Sequence, residues 1–147
     1  MKRVVGIAFI KNNKILIVQS RRSKKTNSYT FVGGGVKKGE QVINAALREV
    51  REEIHNGFEI RQSDLSPILC FKEPAASDKR LMIEMTIFLC HKEIDVSFTT
   101  NAEIIDYHWY SIGEKNYNVS SSIKDHFIPY ALDTGILTNQ KKVASNC

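Results

Sequence analysis

Residues 33–53 read GGGVKKGEQVINAALREVREE, a glycine-rich loop that leads into an amphipathic helix. Apolar residues recur at helical spacing along its second half, so we predict a helix over residues 40–54. Glu49, Glu52 and Glu53 are spaced i, i+3 and i+4 and share a neighbouring face of this helix. Three carboxylates that close repel one another, and Mg2+ or Mn2+ between them would relieve the repulsion. The pattern indicates a divalent cation beside a loop whose backbone can approach a phosphate.

Apolar runs elsewhere predict a mixed β-sheet around this helix. The runs at residues 4–10 and 15–20 read as strands of a hairpin, because Asn12 and Asn13 tolerate the positive φ of a tight turn. Further strands are predicted at residues 29–32, 65–72, 80–92 and 104–110, with polar connections at residues 73–79 and 95–103. This order of elements indicates an α/β (α+β) fold with helices packed on a mixed sheet.

A second helix is predicted near the C-terminus. Ser122 is a suitable N-cap, and Asp125 follows three residues later. Pro129 either kinks this helix or starts a new segment, and Gly135 closes it. Helical spacing puts three residues on the side that should pack on the sheet: Ile123, Phe127 and Ala131.

Length and composition indicate one domain with a proper core. The chain has 147 residues, of which 42% are hydrophobic, so we expect a single domain over residues 1–147 with a frayed segment at 138–147. The formal net charge of +5 favours acidic partners such as nucleotides or RNA. This signal is weak, because the chain contains no block of about five or six like charges.

The cysteines and the apolar runs indicate in which cellular compartment the protein is expected. Cys70, Cys90 and Cys147 form no C-x-x-C pair, and such a sparse, odd number fits a reducing compartment, so we expect a cytoplasmic protein. No apolar run reaches the roughly 18 residues that a membrane helix needs, so no membrane partner is expected. The size of the chain is compatible with a homodimer.

The loop and helix resemble the signature of the Nudix hydrolase family, G-x(5)-E-x(7)-R-E-U-x-E-E-x-G-U, in which U is aliphatic. The signature is long and specific. The order of the surrounding elements is also similar to the α/β/α sandwich of that family, so the resemblance covers nearly the whole chain. The matching positions are Gly34, Glu40, Arg48, Glu49, Val50, Glu52 and Glu53.

The sequence departs from the family pattern at the edges of the signature. His55 and Asn56 stand in place of its final glycine and aliphatic residue. Val32 stands where many members carry proline, and Tyr29 where many carry tryptophan. The carboxylates are untouched, so these differences bear on loop shape and substrate choice rather than on the chemistry.

The resemblance implies a Mg2+- or Mn2+-dependent hydrolase that cleaves the phosphoanhydride of a nucleoside diphosphate linked to another moiety. It implies that Glu49, Glu52 and Glu53 bind the metal and that the carbonyl of Gly33 or Gly34 adds a ligand. A glutamate or the metal then activates the attacking water.

Three more polar residues receive roles from the same resemblance. Glu40 would support the loop and the helix, and Arg48 would orient a glutamate. Some family members use a later glutamate as the base, and Glu103 stands at such a position. An ordinary solvated loop residue explains Glu103 equally well.

The substrate-contacting residues are expected near the loop. The backbone of Gly33, Gly34 and Gly35 would approach the phosphates, and Tyr29 and Phe31 are candidates to stack on a base. Aromatic residues in such positions more often belong to the core. A helix start at residues 120–122, next to Asn118, would also suit a ligand, although capping explains the serines as well.

The size of the chain is similar to that of nucleoside triphosphate pyrophosphohydrolases, including those acting on oxidised nucleotides. The expected reaction therefore gives a nucleoside monophosphate and pyrophosphate. The alternatives are a pyrophosphatase for ADP-ribose or another nucleotide conjugate, a pyrophosphohydrolase of RNA 5′ ends, and a nucleotide sensor without activity. The intact carboxylates argue against the sensor.

Overall fold

The computed structural model describes residues 1–54, 58–75, 78–94 and 103–139. Within these ranges the strands are β1 (Lys2–Ala8), β2 (Ile10–Lys11), β3 (Lys14–Ser20), β4 (Ser28–Tyr29), β5 (Val32–Gly35), β6 (Leu65–Pro74), β7 (Met82–Cys90), β8 (Ile104–Tyr110) and β9 (Asn118–Val119). The helices are α1 (Val42–Glu53) and α2 (Ile128–Thr134), with a π-helical segment at Ser122–Phe127. Short 3-10 turns lie at Ser23–Thr26 and Gln62–Asp64.

The strands form a mixed sheet system, as predicted. One sheet has the order β5-β1-β7-β6, the second has the order β2-β3-β8, and β4 pairs with β9. Strand β1 runs parallel to β7 and antiparallel to β5, so both of its edges are occupied. The pairing with β1 places Gly33 and Gly34 of β5 beside Gly6 and Val5.

The predicted N-terminal hairpin is only half right. Asn12 and Asn13 form its turn with φ values of 52° and 61°, and β2 pairs with β3 across it. The apolar run 4–10 is not one strand, because β1 pairs with β5 and β7 in the other sheet. The chain crosses between the sheets at Phe9, whose carbonyl accepts a hydrogen bond from the Leu16 N–H at 3.0 Å.

Alternate residues of the central strands face two separate hydrophobic cores. Ile7 lies in the core beneath α1, and its neighbour Ala8 lies in the core beneath the π-helical segment and α2. In β3, Leu16 likewise lies in the core beneath α1, and Ile17 lies in the other core. This alternation follows from the twofold repeat of a strand. The strands therefore lie between two helical layers, and the predicted sandwich is confirmed.

Helix α1 is the predicted helix with a later start. Ala46, Leu47 and Val50 are buried along its inner face. Glu40 stays outside the helix because its N–H donates to the Lys37 carbonyl in a turn of the loop. The sequence also predicts a left-handed cap of this helix at residues 55–57, which lie outside the described residues.

Strand β6 is longer than predicted. The prediction ended it at residue 72 and assigned Glu73 and Pro74 to a loop, but both residues pair with β7, opposite Ile83 and Met82. Proline is tolerated there because β6 is the edge strand of its sheet. The extension places the side chain of Glu73 on the sheet. The predicted connection at 95–103 lies largely outside the described residues.

The C-terminal helix begins differently from the prediction. Ser122 lies inside the π-helical segment, and no side chain caps this segment. The Ser122 hydroxyl instead pairs with that of Ser120 at 2.8 Å, so the N-cap assignment is wrong. Pro129 lies in the first turn of α2 and starts a new segment, one of the two predicted outcomes. The predicted inner face is confirmed as fully buried: Ile123, Phe127 and Ala131.

The end of the described chain is tied to the N-terminal hairpin. Gly135 closes α2 with φ of 81°, as predicted. Thr138 donates its N–H to the Asn13 side chain and accepts from the same side chain, both at 2.9 Å. The first residue of the predicted frayed segment is therefore held in place. No helix in the described ranges has the length and apolar character that crossing a membrane requires.

Candidate active site

Gly33 and Gly34 of β5 are needed because other atoms occupy the space of their side chains. A Cβ on Gly33 would lie 2.1 Å from the backbone carbonyl oxygen of Val5. A Cβ on Gly34 would lie 2.5 Å from Oε1 of Glu49. Glycine therefore lets β5 lie directly on β1 and lets the Glu49 carboxylate reach the backbone of the loop.

Arg48 connects the loop to the helix. Its Nε and Nη2 donate to the two carboxylate oxygens of Glu40 at 2.9 and 3.0 Å. Nη2 also donates to the Gly35 carbonyl at 2.9 Å, and Nη1 donates to Oε1 of Glu49 at 2.9 Å. The guanidinium lowers the pKa of Glu40 to about 2. Arg48 thus orients Glu49, the role that the resemblance implied.

The carboxyl group of Glu53 lies in a confined place, where a negative charge is costly. Its Oε2 accepts a hydrogen bond from the Gly33 N–H at 3.1 Å. Burial, followed by the charge of Glu49 and more weakly that of Glu103, raises the pKa of Glu53 to about 8. Burial likewise raises the pKa of Glu49, against the effect of Arg48. Negative charge is crowded on this face of α1.

These carboxylates line a cavity of about 310 Å3, which we call the carboxylate cavity. Strands β3 and β5, helix α1 and the residue before β8 contribute to its walls. The structure brings Glu103 to the same cavity as the helix glutamates, although it lies about 50 positions away along the chain. Its lining residues are Ser20, Arg22, Gly33, Gly34, Gly35, Glu49, Glu52, Glu53 and Glu103.

The donor set of the carboxylate cavity suits a hard divalent cation. Carboxylate and carbonyl oxygens are the ligands that Mg2+ and Mn2+ prefer, and the crowded negative charge would be neutralised by either ion. The side chain of Glu49 is 12% exposed and that of Glu52 is 55% exposed. Within the described ranges no three acidic, histidine or cysteine side chains already stand in a metal-binding group.

A second, larger cavity of about 530 Å3 adjoins the first at Gly33 and Gly34, and we call it the large pocket. Phe31, Ile83 and Met85 give it apolar walls. Asn118 and the serines 120–122 supply polar groups at its rim. The segments that the sequence suggested as ligand contacts thus lie on this wall.

The aromatic residues proposed to stack on a base have different environments. Phe31 lines the large pocket and is 3% exposed, with its ring edge-on to Phe127. Tyr29 does not line either of these cavities. Its ring lies in the core beside Tyr117, and its hydroxyl donates to Asp106 at 2.5 Å. The substrate contact of Tyr29 stays a prediction; in this structure core packing and Asp106 occupy both ends of its side chain.

Two charged residues on the cavity walls escaped the sequence interpretation. Arg22 lies in a basic stretch at residues 21–25, a pattern typical of a solvated loop, yet it lines the carboxylate cavity. Hydrogen bonds between Ser20 and Ser23 at 2.9 to 3.2 Å hold this loop in place. Glu73 lines the large pocket. No local pattern marks either residue, because tertiary contacts bring them to the site.

The chain belongs to the Nudix family, since the family model described as NUDIX domain matches residues 1–130. A Xenopus laevis protein, nucleoside diphosphate-linked moiety X motif 6, is 35% identical over 97 residues. The match covers 56% of this chain and 41% of that protein, so the chain spans less than half of the length of this relative. The family resemblance read from the sequence is confirmed.

Solved structures share the fold at low sequence identity. The MutT protein from Methanosarcina mazei has a TM-score of 0.67 and 18% identity, covering 90% of this chain and 94% of that one. A bifunctional NMN adenylyltransferase/ADP ribose pyrophosphatase from Francisella tularensis has a TM-score of 0.67 and 20% identity, covering 90% and 40%. At such identities the likeness concerns the fold alone.

Proposed function

We propose that this chain is a metal-dependent pyrophosphohydrolase that converts a nucleoside triphosphate and water to a nucleoside monophosphate and pyrophosphate. One observation carries the proposal: the carboxylate cavity and the large pocket meet at Gly33 and Gly34. The first contains carboxylates that suit a cation and the Arg22 guanidinium, which suits phosphates. The second has the size and apolar walls of a small-molecule site.

Glu49, Glu52 and Glu53 would hold Mg2+ or Mn2+ in the carboxylate cavity, with the Gly34 carbonyl as a further ligand. When bound, the cation supplies charge neutralisation at the phosphate oxygens and lowers the pKa of a water. The contacts of Arg48 with Glu49 and of the Gly33 N–H with Glu53 orient two of these carboxylates before any ligand arrives. This preorganisation supports the assignment.

Two other residues of the carboxylate cavity receive roles in this proposal. Glu103 is the candidate to accept the proton of the attacking water, because it faces the same cavity from outside the helix. Arg22 is the candidate to donate hydrogen bonds to phosphate oxygens, since a guanidinium matches their geometry. Phe31 would form the apolar floor under the nucleoside, and the loop backbone at Gly35 would lie beside the phosphates.

A second candidate reaction uses an RNA 5′ end as the substrate. Arg22, Lys24 and Lys25 are exposed around the 3-10 turn beside the carboxylate cavity. A basic surface at the mouth of a phosphate site suits a longer polyanion. This reaction would weaken steeply with added salt, whereas hydrolysis of a free nucleotide would change much less.

A product-resolved assay tests the proposal. Nucleoside triphosphates, nucleotide conjugates such as ADP-ribose, and 5′-triphosphorylated RNA are each incubated with Mg2+, with Mn2+ and with a chelator. We expect a monophosphate and pyrophosphate in equal amounts from a free triphosphate, and no turnover with the chelator. Cleavage of conjugates or of RNA alone would replace the proposed substrate, and undiminished turnover with the chelator would contradict the metal site.

A further inference from the structure

The large pocket contains one charged side chain among the described residues that line it, and this side chain is Glu73. The surrounding wall is apolar or made of neutral hydroxyl and amide groups. A carboxylate on such a wall can distinguish between ligands, because an ionised carboxylate accepts hydrogen bonds from a ligand and donates none.

The carboxylate of Glu73 is fixed by the π-helical layer. Its Oε1 accepts a hydrogen bond from the Ser121 hydroxyl at 3.0 Å, and its Oε2 pairs with Nε2 of His126 at 3.1 Å. The His126 ring is itself stacked on Phe71, with 3.7 Å between ring centroids. The side chain of Glu73 is 16% exposed. Its position is therefore set before a ligand arrives.

Fixed in this way, Glu73 retains acceptor capacity. The two oxygens of a carboxylate offer about four lone-pair sites, and the contacts with Ser121 and His126 use two. One site on each oxygen remains for a ligand in the large pocket. Two adjacent acceptors at a fixed spacing match two adjacent N–H donors.

The common bases differ in this respect. Guanine presents N1–H and its 2-amino group side by side. Hypoxanthine keeps N1–H but lacks the amino group. Adenine and cytosine place an amino group next to an acceptor nitrogen, and uracil has one N–H between two carbonyl groups. A pair of carboxylate acceptors therefore favours guanine, because both acceptors receive a hydrogen bond. With each of the other bases, at least one acceptor faces an acceptor of the base or has no donor opposite it.

We propose that Glu73 determines base specificity by accepting hydrogen bonds from N1–H and the 2-amino group of a guanine base in the large pocket. Ser121 and His126 act as positioning residues for this carboxylate. The inference rests on the proposed function, since it assumes that a nucleoside occupies the large pocket during hydrolysis. It names guanine nucleoside triphosphates as the substrate class.

The test compares GTP, ITP and ATP with the wild-type protein and with Glu73→Gln, each with Mg2+. For the wild type we expect kcat/KM to be about 10- to 100-fold higher with GTP than with ITP, because a hydrogen bond to a charged group is lost. With Glu73→Gln, which retains one acceptor oxygen and adds a donor, we expect the ratio of GTP to ITP to fall to about twofold.

Glu84→Gln is the matched control. It removes a carboxylate from the neighbouring strand β7, opposite Lys72 and outside both cavities, and we expect the wild-type ratio. The comparison of GTP with ITP on the wild type needs no variant, so it remains decisive if Glu73→Gln unfolds. Equal kcat/KM for GTP and ITP, or a ratio unchanged by Glu73→Gln, would overturn the role of Glu73 while hydrolysis itself stands. Failure to hydrolyse any nucleotide would contradict the proposed function and the inference with it.

Discussion

Arg48 donates two parallel hydrogen bonds to the carboxylate of Glu40, from Nε at 2.9 Å and from Nη2 at 3.0 Å. The two side chains belong to different local structures, since Glu40 ends the glycine-rich loop and Arg48 lies in α1. Their contact therefore fixes the loop against the helix. The same guanidinium reaches Glu49, so the shape of the loop and the direction of a carboxylate depend on one side chain.

Arg48→Lys is expected to impair activity although the substitution retains the positive charge. Lysine lacks the planar fork that contacts Glu40 and Glu49 together, so both carboxylates lose orientation. We expect kcat to fall by about 10- to 100-fold and the free energy of unfolding to fall by about 1–3 kcal/mol. Steady-state kinetics and urea unfolding measure the two effects.

Arg51→Lys provides the comparison for that variant. Arg51 lies on the same helix, but its contact is with the Ile60 carbonyl at 3.2 Å, away from the carboxylate cavity. We expect its kcat to stay within about twofold of the wild type. If Arg48→Lys and Arg51→Lys have the same kcat, Arg48 does not have the orienting role that we assign to it.

Alanine at Gly34 and at Gly33 should have different effects. The Cβ of Gly34→Ala would meet the end of the Glu49 side chain, which can move away, so we expect a folded protein with at least about tenfold weaker Mn2+ binding. The Cβ of Gly33→Ala would meet the backbone of β1, which cannot yield without separating the strands. We therefore expect Gly33→Ala to unfold at a much lower temperature.

Titration with Mn2+, monitored by electron paramagnetic resonance, and thermal unfolding separate these two cases. Gly35→Ala calibrates the stability measurement, because its Cβ would lie 3.4 Å from the flexible Lys2 side chain. Wild-type Mn2+ affinity in Gly34→Ala would show that Glu49 does not need its present position to bind the ion.

The buried Tyr29 should make stability depend on alkaline pH. Burial and the hydrogen bond to Asp106 raise the pKa of Tyr29 from 10.0 to about 12. Because the folded-state value lies above the unfolded one, this contribution is complete below about pH 10 and is lost as the pH rises through about 12.

Tyr29→Phe isolates this contribution. At pH 8 we expect the variant to be less stable than the wild type, since Asp106 loses its donor. The difference should shrink between pH 10 and about pH 12, because Tyr29 ionises in the unfolded wild type while the folded state still holds it protonated, and the phenylalanine variant has no such group. Urea unfolding at several pH values measures the gap, and a gap that widens over that range would contradict the argument.

Local sequence patterns predicted the elements but not all of their partners. The spacing in α1 was sufficient because one face of the helix is buried. The composition of β8 was sufficient because its aromatic and β-branched residues favour a strand. The first apolar run was misread because its central strand pairs with β5 and β7, which are distant in sequence. The N-cap prediction at Ser122 failed because the Ser120 hydroxyl competes for it.

For the candidate site, too, the local part could be predicted from the sequence and the part that depends on tertiary packing could not. The signature identified the glutamates of α1, whose spacing is local, and Glu103 was a candidate by position. Glu73 was missed because its position in β6, beside Ser121 and His126, depends on packing between the edge strand and the C-terminal helices. An aromatic side chain next to a loop looks the same in sequence whether it faces a core or a ligand, so the packing of Tyr29 against Tyr117 could not be predicted from the sequence.

Hydrolysis of nucleoside triphosphates by Glu53→Gln tests the central claim most directly. The substitution keeps the size of the side chain and removes the crowded charge, so we expect thermal stability at least equal to that of the wild type without metal. With Mg2+ we expect kcat/KM to fall by at least about 100-fold, while Glu84→Gln retains wild-type turnover. Wild-type turnover in a folded Glu53→Gln protein would contradict the assignment of the carboxylate cavity as the metal site.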